Sequence, residues 1–226
     1  MLIDMHSHTV ASDDSKSTAE QYMKWILYLR ECGYQIDGVV FTEHRQFDFN
    51  IDYQELSSRY GVMILKAAEL DTDIGHMLVY GVNQDLSGKF DFTDVHMDGL
   101  SLLKYAKSVG AIAVPAHPGR KRIGLFDHDY TGRISEELEV LEVLNGGSVA
   151  EENHKAFQMM LGHDWKGIGG SDAHLTSAIG RCLTQFDASV KNERDLVIQL
   201  RTGNYHAVKI SETIGMKEQI GEAASD

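Results

Sequence analysis

An α/β barrel is the fold this sequence predicts, on three observations. Short apolar runs alternate with amphipathic segments along the 226 residues, a pattern of strands joined by crossover helices. Two runs, Val39 to Phe41 and Ile112 to Val114, are continuously apolar, as in strands covered on both faces. Nearly every run ends in His, Asp or Glu. A barrel gathers the C-terminal ends of its strands on one rim, whereas an open sheet spreads them along a line.

In chain order, the run LIDM leads into a helix over Ser17 to Glu31, with Tyr22, Trp25, Ile26 and Leu29 as its buried stripe. DGVVFTEH, a short segment to Tyr60, VMILKAAEL and HMLVYGV follow, then a helix over Gly99 to Val109 and the run AIAVPAHP. LEVLEVLN, a helix over Val149 to Leu161, KGIGGSDAH, RCLTQF and a helix over Asn192 to Arg201 complete the series. The strands are expected to be parallel. No repeat or low-complexity segment appears, and Pro115 and Pro118 are the only prolines, so residues 1–226 are expected to form a single domain.

Composition narrows the function classes. With 42% hydrophobic and 24% charged residues, and no apolar run near the roughly 18 residues that span a bilayer, no membrane role is expected. The N-terminus lacks the basic and apolar regions of a secretory signal, so the expected location is cytoplasmic. Cys32 and Cys182 lack CxxC spacing and are expected as buried thiols. A net charge of −13 disfavours a long nucleic-acid track.

The chemistry lies in the strand ends. His6 and His8 of DMHSH are two apart on a strand and point the same way. FTEHR adds Glu43 and His44, AAELD adds Glu69 and Asp71, GHMLVYG adds His76, PAHPGR adds His117, and GGSDAH adds Asp172 and His174. Imidazole and carboxylate without thiolate suit Zn, Mn or Fe. So many donors exceed what one ion uses, and two or three divalent ions are implied.

The runs HSHTVASDDS, TEH, a Glu closing a strand, GHMLVYG, AHP and GSDAH resemble the PHP (polymerase and histidinol phosphatase) domain, from Asp4 to about Phe186. The resemblance implies a distorted seven-stranded β/α barrel, TIM-like and of PHP type, and a stand-alone metal-dependent phosphoesterase. It implies His6, His8, Glu69 and Asp172 around one ion, Glu69 bridging to a second ion held by His76 and His117, and Asp13, His44 and His174 around a third. Some members carry that aspartate one residue later, where Asp14 stands; Asp13 is the expected ligand.

Two adjacent ions can acidify a water and clamp the oxygens of an in-line phosphoryl displacement. Glu69, Asp172 and His174 are the expected catalytic residues. Arg120, after AHPG, and Arg181, after the DAH segment, are the expected phosphate contacts; Lys121 and Arg122 are expected to be solvated. Asp4 and Glu43 are expected beside the ligands, where each could orient a histidine, cap a strand end or touch substrate. Asp71 and Asp73 follow Glu69 closely and are expected in a solvated turn, with metal binding as the alternative; Glu136, Glu137 and Glu139 are expected in a solvated run, while His96, His128, His154, His163 and His206 fall outside the strand-end pattern. The expected substrate is a small phosphorylated metabolite or nucleotide, with short oligonucleotides as the alternative. An amidohydrolase-type C–N hydrolase is disfavoured because Glu69 stands where those enzymes place a lysine. A non-catalytic PHP module is disfavoured by the full set of ligands.

Overall fold

In the computed structural model, residues 1–128 and 132–214 are described. The expected single domain also takes in 129–131 and 215–226, which lie outside the described residues.

β1 (Leu2–Ser7), β2 (Gly38–His44) and β3 (Met63–Thr72) run parallel, side by side. Between β1 and β2 lies α1 (Ala19–Glu31), opened by a capping box in which Thr18 and Gln21 satisfy each other's backbone N–H groups. It buries Tyr22, Met23 and Ile26 beside Val39 and Phe41 of β2. Trp25 and Leu29 of the expected stripe are only partly buried, and Met23 takes their place. A short helix, α2 (Gln54–Tyr60), leads into β3.

The chain then departs from the all-parallel expectation. Only Asp73 and Ile74 separate β3 from β4 (Gly75–Tyr80), and the two strands form an antiparallel hairpin. Two residues cannot house a crossover helix, so the return must be antiparallel. Gly75 makes the turn at φ 100°, where a Cβ would meet Ile123 O at 2.7 Å. After α3 (Gln84–Lys89) and α4 (Gly99–Ser108), β5 (Ile112–Pro115) pairs antiparallel with β4.

Following α5 (Arg133–Glu137), β6 (Val140–Asn145) and β7 (Lys166–Gly170) form a separate parallel pair connected by α6 (Ala150–Leu161). β8 (Cys182–Phe186) returns antiparallel to β1, and α7 (Glu193–Thr202) leads to β9 (Tyr205–Lys209) on the outer edge. β9 escaped the sequence reading because only Val208 among its residues is buried, which leaves no apolar run.

The sheet order is β5-β4-β3-β2-β1-β8-β9, a curled seven-stranded half-barrel of mixed direction rather than a closed parallel ring. The β6–β7 pair is tied to the sheet beyond the end of β7, where Asp172 N donates to His6 O (2.7 Å) and His8 N to Ala173 O (2.9 Å). Met5, Val40, Leu78, Tyr80 and Val114 from the sheet share one core with Val140 and Ile168 from the pair. Cys182 is buried, but Cys32, at the C-terminal cap of α1, is exposed rather than buried as expected. No described helix is long and apolar enough to cross a membrane.

Candidate metal centre

β1, β2, β3 and β7 run in one direction, so the cluster forms around their C-terminal ends. β4 runs the other way, and its reversal delivers His76 to the same rim at the strand's start. Glu69, with no exposed surface, is the centre of the cluster. Its Oε2 lies 3.1 Å from His6 Nε2, 3.2 Å from His8 Nε2 and 3.2 Å from His44 Nδ1. Its Oε1 lies 3.0 Å from both His76 Nδ1 and His117 Nε2.

The donors fall into three overlapping groups: His6, His8, Glu69 and Asp172; Glu69, His76 and His117; and His8, His44 and His174. In the first, the Nε2 atoms of His6 and His8 approach to 3.0 Å, and Asp172 Oδ1 is 3.4 and 3.5 Å from them. Donors about 2.0–2.1 Å from a tetrahedral divalent ion stand roughly 3.3 Å apart, so the set fits such an ion. Two imidazole nitrogens facing each other beside two carboxylates make a donor set that could hold a cation between them.

All the sequence-predicted ligands come together except Asp13. Its Oδ2 turns away to Arg45 Nη2 at 3.4 Å, and the side chain is 76% exposed. Asp14 stands at the corner instead, with Oδ2 3.3 Å from His44 Nε2 and 3.1 Å from His174 Nε2. The reason is how the loop turns. The loop after His8 turns with Ser12 N bonded to Thr9 O and Ser15 N bonded to Ser12 O, and adjacent residues on such a turn point in different directions.

This crowding perturbs the buried groups at the middle of the cluster. Burial opposes a charged His6, yet Glu142, Asp172 and Glu69 hold its imidazolium well above the usual range. Burial would raise Glu69, but His6 and the hydrogen bonds from His117, His6 and His76 hold it well below the carboxylate range. Asp172 is likewise held low against burial, by His6 and His8. The carboxylates thus favour the charged form of His6, and more weakly of His8 and His76, whereas burial lowers His44.

The residues beside the ligands do specific work. Buried Asp4 accepts from Ser171 N and Gly180 N at 2.8 Å each, joining β1 to the loops after β7, and burial lifts its carboxyl to about 6. Glu43 accepts from Thr9 Oγ1 (2.7 Å) and Ser12 Oγ (2.6 Å), shaping the loop that carries Asp14. His117 (φ 31°) and Asp172 (φ 53°) both adopt left-handed backbone, a strain of order 1–3 kcal/mol for non-glycine residues that clusters at functional sites.

The sequence reading missed Glu142 and misplaced Asp71. Glu142 is fully buried and binds His6 Nδ1 (3.0 Å), His117 N (2.6 Å) and Asn145 Nδ2 (2.9 Å). Its signal was a charge inside an apolar strand, where burial without partners is costly. Asp71, expected in a solvated turn, has Oδ1 3.2 Å from His76 Nε2.

Arg120 reaches the cluster, with Nη2 2.9 Å from Asp172 Oδ2 and 2.8 Å from Asn145 Oδ1. Arg181, just before β8, is exposed, and among the described residues no hydrogen bond or ion pair ties it to the cluster. Lys121 and Arg122 are exposed, and His128 bonds Arg122 O within its own loop. A cavity of about 600 Å³ between α6 and β9, walled by Phe157, Trp165 and Tyr205, contains none of the cluster residues.

A family described as PHP-associated matches residues 150–205. PsfC from Pseudomonas syringae PB-5123 superposes over 100% of this chain and 98% of its own, with a TM-score of 0.69 and 17% identity. A candidate metal-dependent phosphoesterase from Bifidobacterium adolescentis aligns over 77% of this chain and 88% of its own, at a TM-score of 0.55 and 19% identity. The lesion-specific endonuclease PfuEndoQ from Pyrococcus furiosus aligns over 92% of this chain and 58% of its own, at a TM-score of 0.64 and 14% identity. These findings support a PHP-domain family. At such identities the structural likeness speaks to the fold; no curated protein matches the sequence. The matched segment 150–205 contains α6, β7, the loop bearing Asp172 and His174, β8 and α7.

Proposed function

We propose that this chain is a metal-dependent phosphoesterase acting on a small phosphorylated metabolite or nucleotide at a centre of two or three divalent ions, Zn, Mn or Fe. The observation that carries the reading is the divided Glu69 carboxylate, one oxygen facing His6, His8 and His44 and the other facing His76 and His117. A single buried carboxylate shared in this way suits two adjacent cations.

His6, His8, Glu69 and Asp172 would hold one ion, Glu69, His76 and His117 a second, and Asp14, His44 and His174 a third. Bound ions supply Lewis acidity toward phosphoryl oxygens and lower the pKa of water toward neutrality. The chain's own groups do the rest. Glu69 and Asp172 set the charge and geometry of the first two positions. Arg120 has Nη2 and Nε engaged by Asp172, Asn145 and Ser148, which fixes its plane and leaves Nη1 to meet a phosphate. His174 is 28% exposed at the outer corner, with Nδ1 on Asp172 O. Its Nε2 would help hold a third ion or, where that position is not used, would stand to hand a proton to the leaving-group oxygen. Arg181, exposed just before β8, is the second cation proposed for the substrate.

The fold likeness to a lesion-specific endonuclease makes phosphodiesters the second arm of the test. The net charge of −13 favours small or short substrates. Metal-loaded protein is to be assayed on phosphomonoesters, including nucleotides, on phosphodiesters and short oligonucleotides, and on cyclic and N-acyl amides. Phosphate release from monoesters is expected. Turnover of an amide with no phosphoester cleaved would overturn the reading.

A further inference from the structure

We propose that Glu142 and Asp71 are positioning residues that turn opposite ring nitrogens of His6 and His76 toward the cluster, so that His6 binds its ion through Nε2 and His76 through Nδ1. The inference rests on the reading of the cluster as a metal centre and adds its orientation. A neutral imidazole that ligates through one nitrogen keeps its proton on the other, and the group accepting that proton selects the tautomer.

At His6, Nδ1 lies 3.0 Å from Glu142 Oε1 with both side chains wholly buried, and Nε2 faces His8 Nε2 and Glu69 Oε2. Glu142 is held from its other end, where Oε2 takes the N–H of His117 and the Nδ2 of Asn145. Gly170 packs beside it with too little room for a Cβ, which would lie 2.9 Å from Oε1. The acceptor for the His6 proton is therefore fixed.

At His76 the ring is reversed. Nδ1 lies 3.0 Å from Glu69 Oε1, and Nε2 lies 3.2 Å from Asp71 Oδ1. Asp71 and His76 are direct partners across the β3–β4 hairpin, and facing residues of an antiparallel pair project to the same side of the sheet. The tight turn that makes the hairpin thus also supplies the acceptor. Two other rings follow the His6 pattern: His174 places Nδ1 on Asp172 O at 3.0 Å, and His8 places Nδ1 3.4 Å from Ser12 Oγ. Of these four histidines, His76 alone presents Nδ1 to the centre.

The test uses zinc-loaded, ¹⁵N-histidine-labelled protein and long-range ¹H–¹⁵N correlation spectra, which separate protonated from zinc-bound ring nitrogens. His6 is expected with a protonated Nδ1 and a zinc-shifted Nε2, and His76 with the reverse. A zinc-shifted Nε2 at His76 would overturn the proposal. Asp71→Ala and Glu142→Gln are each expected to weaken zinc binding about 10- to 100-fold in chelator competition, the glutamine because both Glu142 oxygens accept N–H donors and an amide keeps only one acceptor, while the metal-free melting curve of Asp71→Ala stays close to the parent's. Asp71→Asn, which retains an acceptor oxygen, is expected to restore Nδ1 ligation at His76. Parental zinc affinity in both Asp71→Ala and Glu142→Gln would also overturn the proposal. A parent protein that takes up no zinc would remove the metal-centre reading itself, whereas zinc bound through Nε2 of His76 would remove only the orientation.

Discussion

Gly170→Ala tests the link between packing and the centre. Gly170 ends β7 beside His6, and a Cβ there would press on His6 Cβ, stand 2.7 Å from His6 N and lie 2.9 Å from Glu142 Oε1. Its φ is outside the left-handed range, so alanine is opposed by space alone. Reaching the 3.4 Å at which ordinary contact begins requires β7 and β1 to part by about 0.7 Å at His6 N, an overpacking that costs roughly 1–3 kcal/mol. At about 2–4 °C per kcal/mol for a chain of this size, the metal-free melting temperature should fall by about 2–12 °C. The shift also moves His6 and Glu142, and a misplacement of about 1 Å can lower turnover about 10²-fold. The assays are thermal melting with and without chelator, and bound zinc by plasma mass spectrometry. Gly88→Ala in α3 is the control, since a Cβ there meets nothing within 4 Å, and it should add roughly 0.5–1 kcal/mol. A Gly170→Ala protein that melts and binds zinc as the parent does would refute the reasoning.

Three further outcomes are expected. Asp14→Asn should weaken or empty one metal position while Asp13→Asn leaves stoichiometry unchanged, as measured by equilibrium dialysis, because Asp14 alone of the two faces His44 and His174. Iodoacetamide should label exposed Cys32 and spare Cys182, whose thiol burial pushes up to about 12; mass spectrometry should show one adduct on native protein and two after unfolding. Zinc loading should release protons at neutral pH, because His6 is held charged above its ordinary range; calorimetry in buffers of different ionisation heat reads this, and zero release would contradict it. The signs for the metal-free fold follow from the same groups. His6 stabilises fully below the ordinary imidazole pKa, and that contribution is lost as pH rises through the raised value. Glu69 and Asp172 stabilise above the ordinary carboxylate range and lose their contribution as pH falls through the depressed values.

Much of the site was legible because its signals are local. An imidazole or carboxylate at the end of an apolar run is visible in sequence, and His6, His8, His44, Glu69, His76, His117, Asp172 and His174 do come together. Asp13 misled because the choice between adjacent aspartates depends on how one loop turns, which the Glu43 carboxylate shapes from β2 through Thr9 and Ser12. Strand direction misled at β3–β4, although the short interval 71–75 between the runs VMILKAAEL and HMLVYGV already excluded a crossover helix. Asp71 and Glu142 are ordinary acidic residues until a neighbouring strand gives each a histidine.

By itself, then, the sequence determined the kind of chemistry, an imidazole and carboxylate cluster at strand ends, because donor type and the two-residue period of a strand are properties of the chain alone. Tertiary structure decided which acids touch which rings, which aspartate turns inward, and how the half-barrel is closed off by the β6–β7 pair. Those outcomes depend on contacts between residues far apart in the chain, such as His6 with Glu142, and on distances of a few ångströms that no local pattern specifies.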